Sequence, residues 1–320
     1  MCDVFLFFFL YLILQAVHFF QASIKVPYYS HFYEVYNMGL HLSQLCRKPC
    51  GEDREVKKTA SNPKHTQEKV FAVLNDYLGP ESPLPLDLAV ESLLKLLPTD
   101  APDSEEICRF GEDCFEIAEM ASYKSSSHSR LAQLLEALGL SSHFTFLAKE
   151  NGRVWRFNLL KHSMEDFCAG PDSENPGRYV NYNSFLAHLY EHRIFPTDPT
   201  YALWAMRAAF EDERSHEAKE VRSSWILGAA QWILWNGQSI FNLVLEPALY
   251  DVTYETWPDR GAWDAGSLYN GAPGLSLERW QFWKRQFGEV SQGCDVTDEC
   301  KMVSARAMAM MDLFEKSMVF

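Results

Sequence analysis

His188 and His192 stand four residues apart in "HLYEH", with Glu191 between them, which is the spacing of the inverted zinc motif H-x-x-E-H. On a helix, histidines at i and i+4 share a face and can hold zinc while the intervening glutamate serves as general base. The surroundings argue for a plainer role. Phe185, Leu186, Leu189 and Tyr190 form the apolar sector of this helix, leaving both histidines at its polar, solvated margin. His192 also falls near the helix end, just ahead of Pro196, and no ligand glutamate follows at a useful spacing. No metal is assigned, and His188, Glu191 and His192 remain the candidates for one. "HEAKE" at 216–220 lacks the second histidine of the commoner zinc motif, and "NGAPG" at 270–274 follows no strand that would make it a phosphate cradle. No dinucleotide fingerprint, Walker loop, nucleophile elbow or calcium loop occurs, so no cofactor is called for. The acid runs "EDE" at 211–213 and "EE" at 105–106 sit at helix ends, where solvation or dipole complementarity accounts for them.

A second place for chemistry is aromatic. Seven of the nine tryptophans lie between residues 225 and 283. Residues 223–245 carry no charge, yet Gln231, Asn236, Gln238 and Asn242 are spread through them, and four amides would be costly on a lipid-facing helix. At about 100° per residue, Trp225, Ala229, Trp232, Asn236 and Leu243 fall in one sector, while Gln231, Gln238 and Asn242 share another. A helix apolar nearly all round belongs in the middle of a bundle. After it, residues 246–274 have no helical period and are rich in Gly, Asp, Pro and Trp, and a loop this long is usually functional or disordered. A pocket among this helix, this loop and the helix near Trp280 would draw on Trp232, Asn236, Trp263, Asp264 and Tyr269 for aromatic walls and polar contacts. Plain core packing is the competing reading of the same residues.

Positioning these groups falls to helices. Residues 51–66 form a charged, proline-bearing linker, and residues 67–320 read as one helical domain. Helical periods run through "QEKVFAVLNDYLG", closed by Gly79, then "LPLDLAVESLLKLLP", "SEEICRFGEDCFEIAEMA" and "SRLAQLLEALG". Near 143–157, Asn151-Gly152 between two β-prone runs marks one short hairpin. Asp198 is expected to cap a helix whose first residue is Pro199, and Ser276 to cap the one carrying Trp280, Trp283 and Phe287. In the last helix, Val303, Ala307, Met310, Met311, Phe314 and Met318 form an apolar stripe read as core. The fold class is all-α, a single irregular multi-helix bundle.

Bulk properties remove some partners. Acids outnumber bases 43 to 29, a net charge of −14, and no basic stripe offsets it, which argues against nucleic acid. The eight cysteines make no C-x-x-C pair, and no Asn-x-Ser/Thr acceptor occurs, so the chain reads as intracellular and cytoplasmic with reduced thiols. Residues 1–50 form an apolar extension. Its uncharged run at 4–24 could cross a bilayer and tether the chain, with Lys25 leaving the domain on the cytosolic side. It makes a poor signal peptide, because Asp3 replaces the basic start and no small-x-small site follows.

Five segments in order, "YVNYNSFLAHLYEHRIF", "YALWAMRAAFED", "ILGAAQWILWNGQSIF", "GLSLERWQFWKRQF" and "ARAMAMMDLFEKSM", resemble a fungal family of uncharacterised all-helical proteins, a domain of unknown function. The resemblance covers about residues 155–320. It implies an all-helical intracellular fold and brings no catalytic residues to carry over. Three functional readings follow. The first is a non-enzymatic helical interaction or regulatory module with a protein partner. The second is a small-molecule-binding protein or enzyme with an aromatic-lined pocket around 225–283. The third is a zinc-dependent hydrolase built on His188 and His192.

Overall fold

The computed structural model describes residues 63–79, 84–99, 104–147, 154–156, 170–194, 199–246 and 263–318. The 4–24 run and the proposed turn at Asn151-Gly152 lie outside these residues. Nine helices and one hairpin appear among them. Helices α1 (Pro63–Leu78), α2 (Leu86–Leu96), α3 (Glu105–Met120) and α4 (Ser127–Leu138) come first. The hairpin β1 (Thr145–Leu147) and β2 (Val154–Arg156) follows, antiparallel, with Phe146 opposite Trp155. Then come α5 (Gly177–Glu191), α6 (Thr200–Phe210), α7 (Lys219–Leu245), α8 (Leu277–Gln292) and α9 (Asp298–Met318).

Local chemistry sets most of the helix ends. Gly79 follows α1 and donates its N–H to Asn75 O at 2.8 Å. Ser104 and Ser276 cap α3 and α8, each accepting from the backbone N–H three residues on, Ile107 and Arg279. Pro63 opens α1 within the stretch read as linker, because a proline in the first turn has no helical hydrogen bond to lose. At α6 the boundary shifts by one residue. Pro199 is itself the cap position and Thr200 the first helical residue, while Asp198 lies outside the described residues.

Helix α7 is the axis of the C-terminal half, packed by α5, α6, α8 and α9. Sixteen of its 27 residues are buried, and the uncharged run 226–233 is buried on every side. Gly228 lets α5 approach: a Cβ there would stand 2.7 Å from Tyr179 Cε1. Helices α3 and α4 pack on the far side of α5, so that from Tyr182 to Leu189 every residue of α5 is buried. The outermost helix, α9, buries only Cys300, Ser304, Ala307 and Met311. Val303, Met310, Phe314 and Met318 of the expected stripe are half-buried at its edges. Among the described residues no helix is long and apolar enough to cross a membrane.

Candidate functional site

The two buried amides of α7 have ordinary partners. Asn236 donates to Ala187 O on α5 at 2.8 Å, and Gln231 donates to Leu227 O one turn back at 3.2 Å. Trp232 donates to Asn183 Oδ1 at 3.0 Å, and its ring meets Tyr190 edge-on at 6.0 Å. Trp232 and Asn236 therefore face α5. Trp263 lies elsewhere, fully buried, with its indole N–H on Thr200 Oγ1 of α6. Tyr269 packs on Phe282 with ring centres 5.1 Å apart, and Asp264 is exposed. The five residues are thus split between two sides of α7. Where α6, α7 and α8 meet, Ile233, Ile240, Trp280 and Trp283 close on one another with no volume a water could occupy.

Trp263, Asp264 and Tyr269 are held by a buried ion pair. Glu211, at the end of α6, and Arg279, in the first turn of α8, are both fully shielded from solvent. Arg279 Nε donates to Glu211 Oε1 at 2.7 Å and Nη2 to Oε2 at 2.8 Å. Its remaining N–H groups go to the carbonyls of Trp263, Gly274 and Asp264 at 2.9, 2.9 and 3.0 Å. Glu211 also accepts from Trp283 Nε1 and the Gly266 amide. All five guanidinium donors and all four acceptor positions of the carboxylate are used, the condition under which a buried pair is tolerated. Glu211 is therefore not the solvated helix-end acid expected from "EDE". A signal was available: an acid at a helix C-terminus opposes the macrodipole and needs a cation to hold it there.

The zinc motif is also rearranged by packing. His188 is buried, its ring 4.3 Å from that of Trp235, and its Nδ1 stands 3.5 Å from Glu191 Oε2 without hydrogen-bond geometry. His192 pairs instead with Glu136 of α4 at 2.7 Å. The solvated-margin reading fails for His188 because α5 has helices on both sides. Among the described residues no group of three His, Cys, Asp or Glu could hold a metal. Burial holds His188 down to about pKa 4, with the charges of His128 and His192 acting the same way. His128 is likewise held at about 4 by burial. Its Nε2 lies 2.9 Å from Ala118 O, so that nitrogen carries the proton, and Nδ1 accepts from Ser184 Oγ at 3.0 Å. This serine–histidine pair has no access to solvent, since Ser184 is 0% exposed.

Space for a ligand occurs on the other flank of α5, where α5, α6 and the start of α7 enclose a half-open cleft of about 300 Å³. Helix α5 contributes Tyr179, Tyr182 and Asn183, and α6 contributes Tyr201, Trp204, Ala205, Arg207 and Ala208. Asp212 and Trp225 complete it. The i, i+3, i+4 spacing on both helices places these side chains on facing stripes. The walls are braced. Tyr201 and Trp204 pack edge to face at 5.4 Å, and Tyr179 meets Trp225 in the same way at 4.6 Å. The Arg214 guanidinium lies 3.8 Å over the Trp225 ring, while Glu217 takes both the indole N–H at 3.0 Å and Arg214 Nη1 at 2.8 Å. Arg214 also donates to Ala208 O. On the floor, Asn183 accepts from Trp232 and donates to Tyr179 O at 3.0 Å, tying the cleft to the core. Of the described residues in 225–283, only Trp225 lines it. The tyrosine and tryptophan pairs three apart, 179 with 182 and 201 with 204, were the legible signal, passed over because they lie on two different helices.

Fold and cleft together define an all-α protein with a braced aromatic cleft on one flank of its central helices. Residues 112–287 match the DUF3632 family of proteins of unknown function, and the chain belongs to that family. The match starts in α3, well before Trp155, and ends in α8 at Phe287, so it spans every residue lining the cleft and leaves α9 outside. No curated protein and no solved structure matches the chain.

Proposed function

We propose that this protein is a helical ligand-binding module and that the aromatic cleft between α5, α6 and α7 is its site. The supporting observation is the braced, half-open space of about 300 Å³ with five aromatic side chains in its lining, a size at the lower end of small-molecule pockets. Among the described residues no His, Cys, Ser, Thr or Lys lines it, and its one carboxylate, Asp212, is paired with Arg207 and Arg214, which favours binding over nucleophilic or general-base chemistry. In this reading residues 67–320 are the binding domain, and Trp232 and Asn236 are supports that hold α7 to α5 behind the cleft. Native mass spectrometry of the purified full chain, followed by a thermal-shift screen of small aromatic compounds, tests it. The expected result is a bound or stabilising compound whose effect is lost in Trp204→Ala. A compound that stabilises wild type and the variant equally would place the site elsewhere.

The interaction-module reading keeps one observation of its own. Met302 and Leu313 are 69% and 60% exposed and share the outer row of α9, with Ala309 between them. Sedimentation of the full chain tests it, with Leu313→Glu as the control. A monomer at all concentrations that enriches no partner would remove it.

A further inference from the structure

Resting on the reading of the cleft as the binding site, we propose that its ligand class is an uncharged, planar aromatic molecule of one or two rings, packed on Trp204. The first observation is that the charges around the cleft cancel one another. Two charged side chains, Arg207 and Asp212, belong to its described lining. Asp212 Oδ1 lies 3.7 Å from Arg207 Nε, and its Oδ2 lies 3.5 Å from Arg214 Nη2. Glu217 in turn takes Arg214 Nη1 at 2.8 Å. Two carboxylates and two guanidiniums therefore form one neutral chain, each side chain no more than 36% exposed. What an anionic ligand gains from the guanidiniums it loses to the carboxylates, and a cationic ligand meets the reverse. Either ion also gives up hydration on entering the cleft. An uncharged ring meets neither cost.

The second observation separates the two indoles of the lining. Trp225 is committed to the protein. Arg214 lies 3.8 Å over its ring, Tyr179 meets it edge to face, and its N–H is on Glu217. Gly170 approaches it so closely that a Cβ there would collide with Cζ2 and Cη2. The indole face that would attract a cationic ligand is thus filled by the chain's own guanidinium. Trp204 is half-buried, and among the described residues its one ring partner is Tyr201, at 5.4 Å and 77°. Its remaining surface borders the cleft, where a flat ring can pack offset or edge-on. Asn183, on the floor, is engaged at both ends, with Trp232 and with Tyr179 O, so recognition falls to ring shape more than to polar edges. About 300 Å³ suits a ligand of one or two rings.

Equilibrium dialysis of the full chain against three probes of similar shape tests the assignment: 2-acetylnaphthalene, 2-naphthoate and 2-naphthylmethylammonium. The uncharged ketone should bind about tenfold or more tighter than either ion. Asp212→Asn unbalances the two guanidiniums, so it should strengthen naphthoate about tenfold and change the ketone little. Trp204→Leu should weaken the ketone about tenfold. An ion that binds wild type as tightly as the ketone, and is weakened by Trp204→Leu, overturns the ligand class while leaving the cleft as a site. A folded Asp212→Asn protein that binds naphthoate no better than wild type also overturns it. Ketone binding untouched by Trp204→Leu, or binding by none of the three, overturns the reading of the cleft itself. The wild-type comparison needs no variant, so the ligand class is decided even if Asp212→Asn folds poorly.

Discussion

Replacing Arg279 with methionine keeps a long, flexible, apolar stem in the place of the guanidinium and removes every donor at its tip. Five hydrogen bonds disappear at once: two to Glu211 and one each to the carbonyls of Trp263, Asp264 and Gly274. Glu211 is left as a fully buried carboxylate with only Trp283 Nε1 and the Gly266 amide for partners. Breaking a buried pair from one side costs about 3–5 kcal/mol, because the remaining charge loses its partner without regaining water. Against a total stability of about 5–15 kcal/mol this is a large fraction, and it corresponds to a fall in Tm of about 6–10 °C. Circular dichroism melts and urea titrations of wild type, Arg279→Met, Glu211→Met, Glu211→Gln and Arg279→Met with Glu211→Met measure it. Glu211→Gln should also destabilise, since one end of the amide must present N–H groups to two donors. The double variant should cost less than the sum of the two single changes at those positions by at least about 1 kcal/mol, having no orphaned charge. Added salt should change none of this, because neither group meets solvent. An Arg279→Met protein within about 1 kcal/mol of wild type, or additive losses in the double variant, would refute the account of Glu211 and Arg279 as the clasp of the 263–274 segment.

Other expectations follow from the same geometry. His128 and His188 titrate near pH 4 when folded and near 6.5 when unfolded, so the unfolded chain binds the extra protons between those values. Stability should therefore fall as pH drops from about 6.5 toward 4, by up to about 1.4 kcal/mol per pH unit for each histidine; melts across that range check it, and His128→Gln should flatten the slope. In Gly228→Ala the added Cβ presses on the Tyr179 ring. The helix-propensity gain of about 1 kcal/mol should hide most of the cost in a melt, while cleft binding weakens measurably by calorimetry. Purified protein should carry no stoichiometric zinc by mass spectrometric metal analysis, and His192→Ala should leave both metal content and Tm nearly unchanged, its contact being a surface pair with Glu136.

What the sequence by itself determined is what depends on near neighbours along the chain. Helix class follows from apolar spacing. The stops and caps at Gly79, Ser104 and Ser276 follow from side chains that reach backbone groups within three or four residues. The short hairpin is marked by its turn residues. The central place of α7 follows from its charge-free run at 223–245, whose scattered amides suit a protein interior better than lipid. Tertiary structure decided everything that needs a partner far along the chain. Glu211 and Arg279 are 68 residues apart, and only the meeting of α6 with α8 turns a surface-looking acid into a buried clasp. His188 becomes a core residue because α5 has helices on two sides, which the pattern of one helix cannot reveal. The cleft exists because the stripes on α5 and α6 stand opposite each other, and Asn236 bonds Ala187 O because α7 lies against α5. Periodicity reports which face of a helix is apolar. Which two faces meet is set by the packing of the whole bundle, and a site made of both faces becomes visible only there.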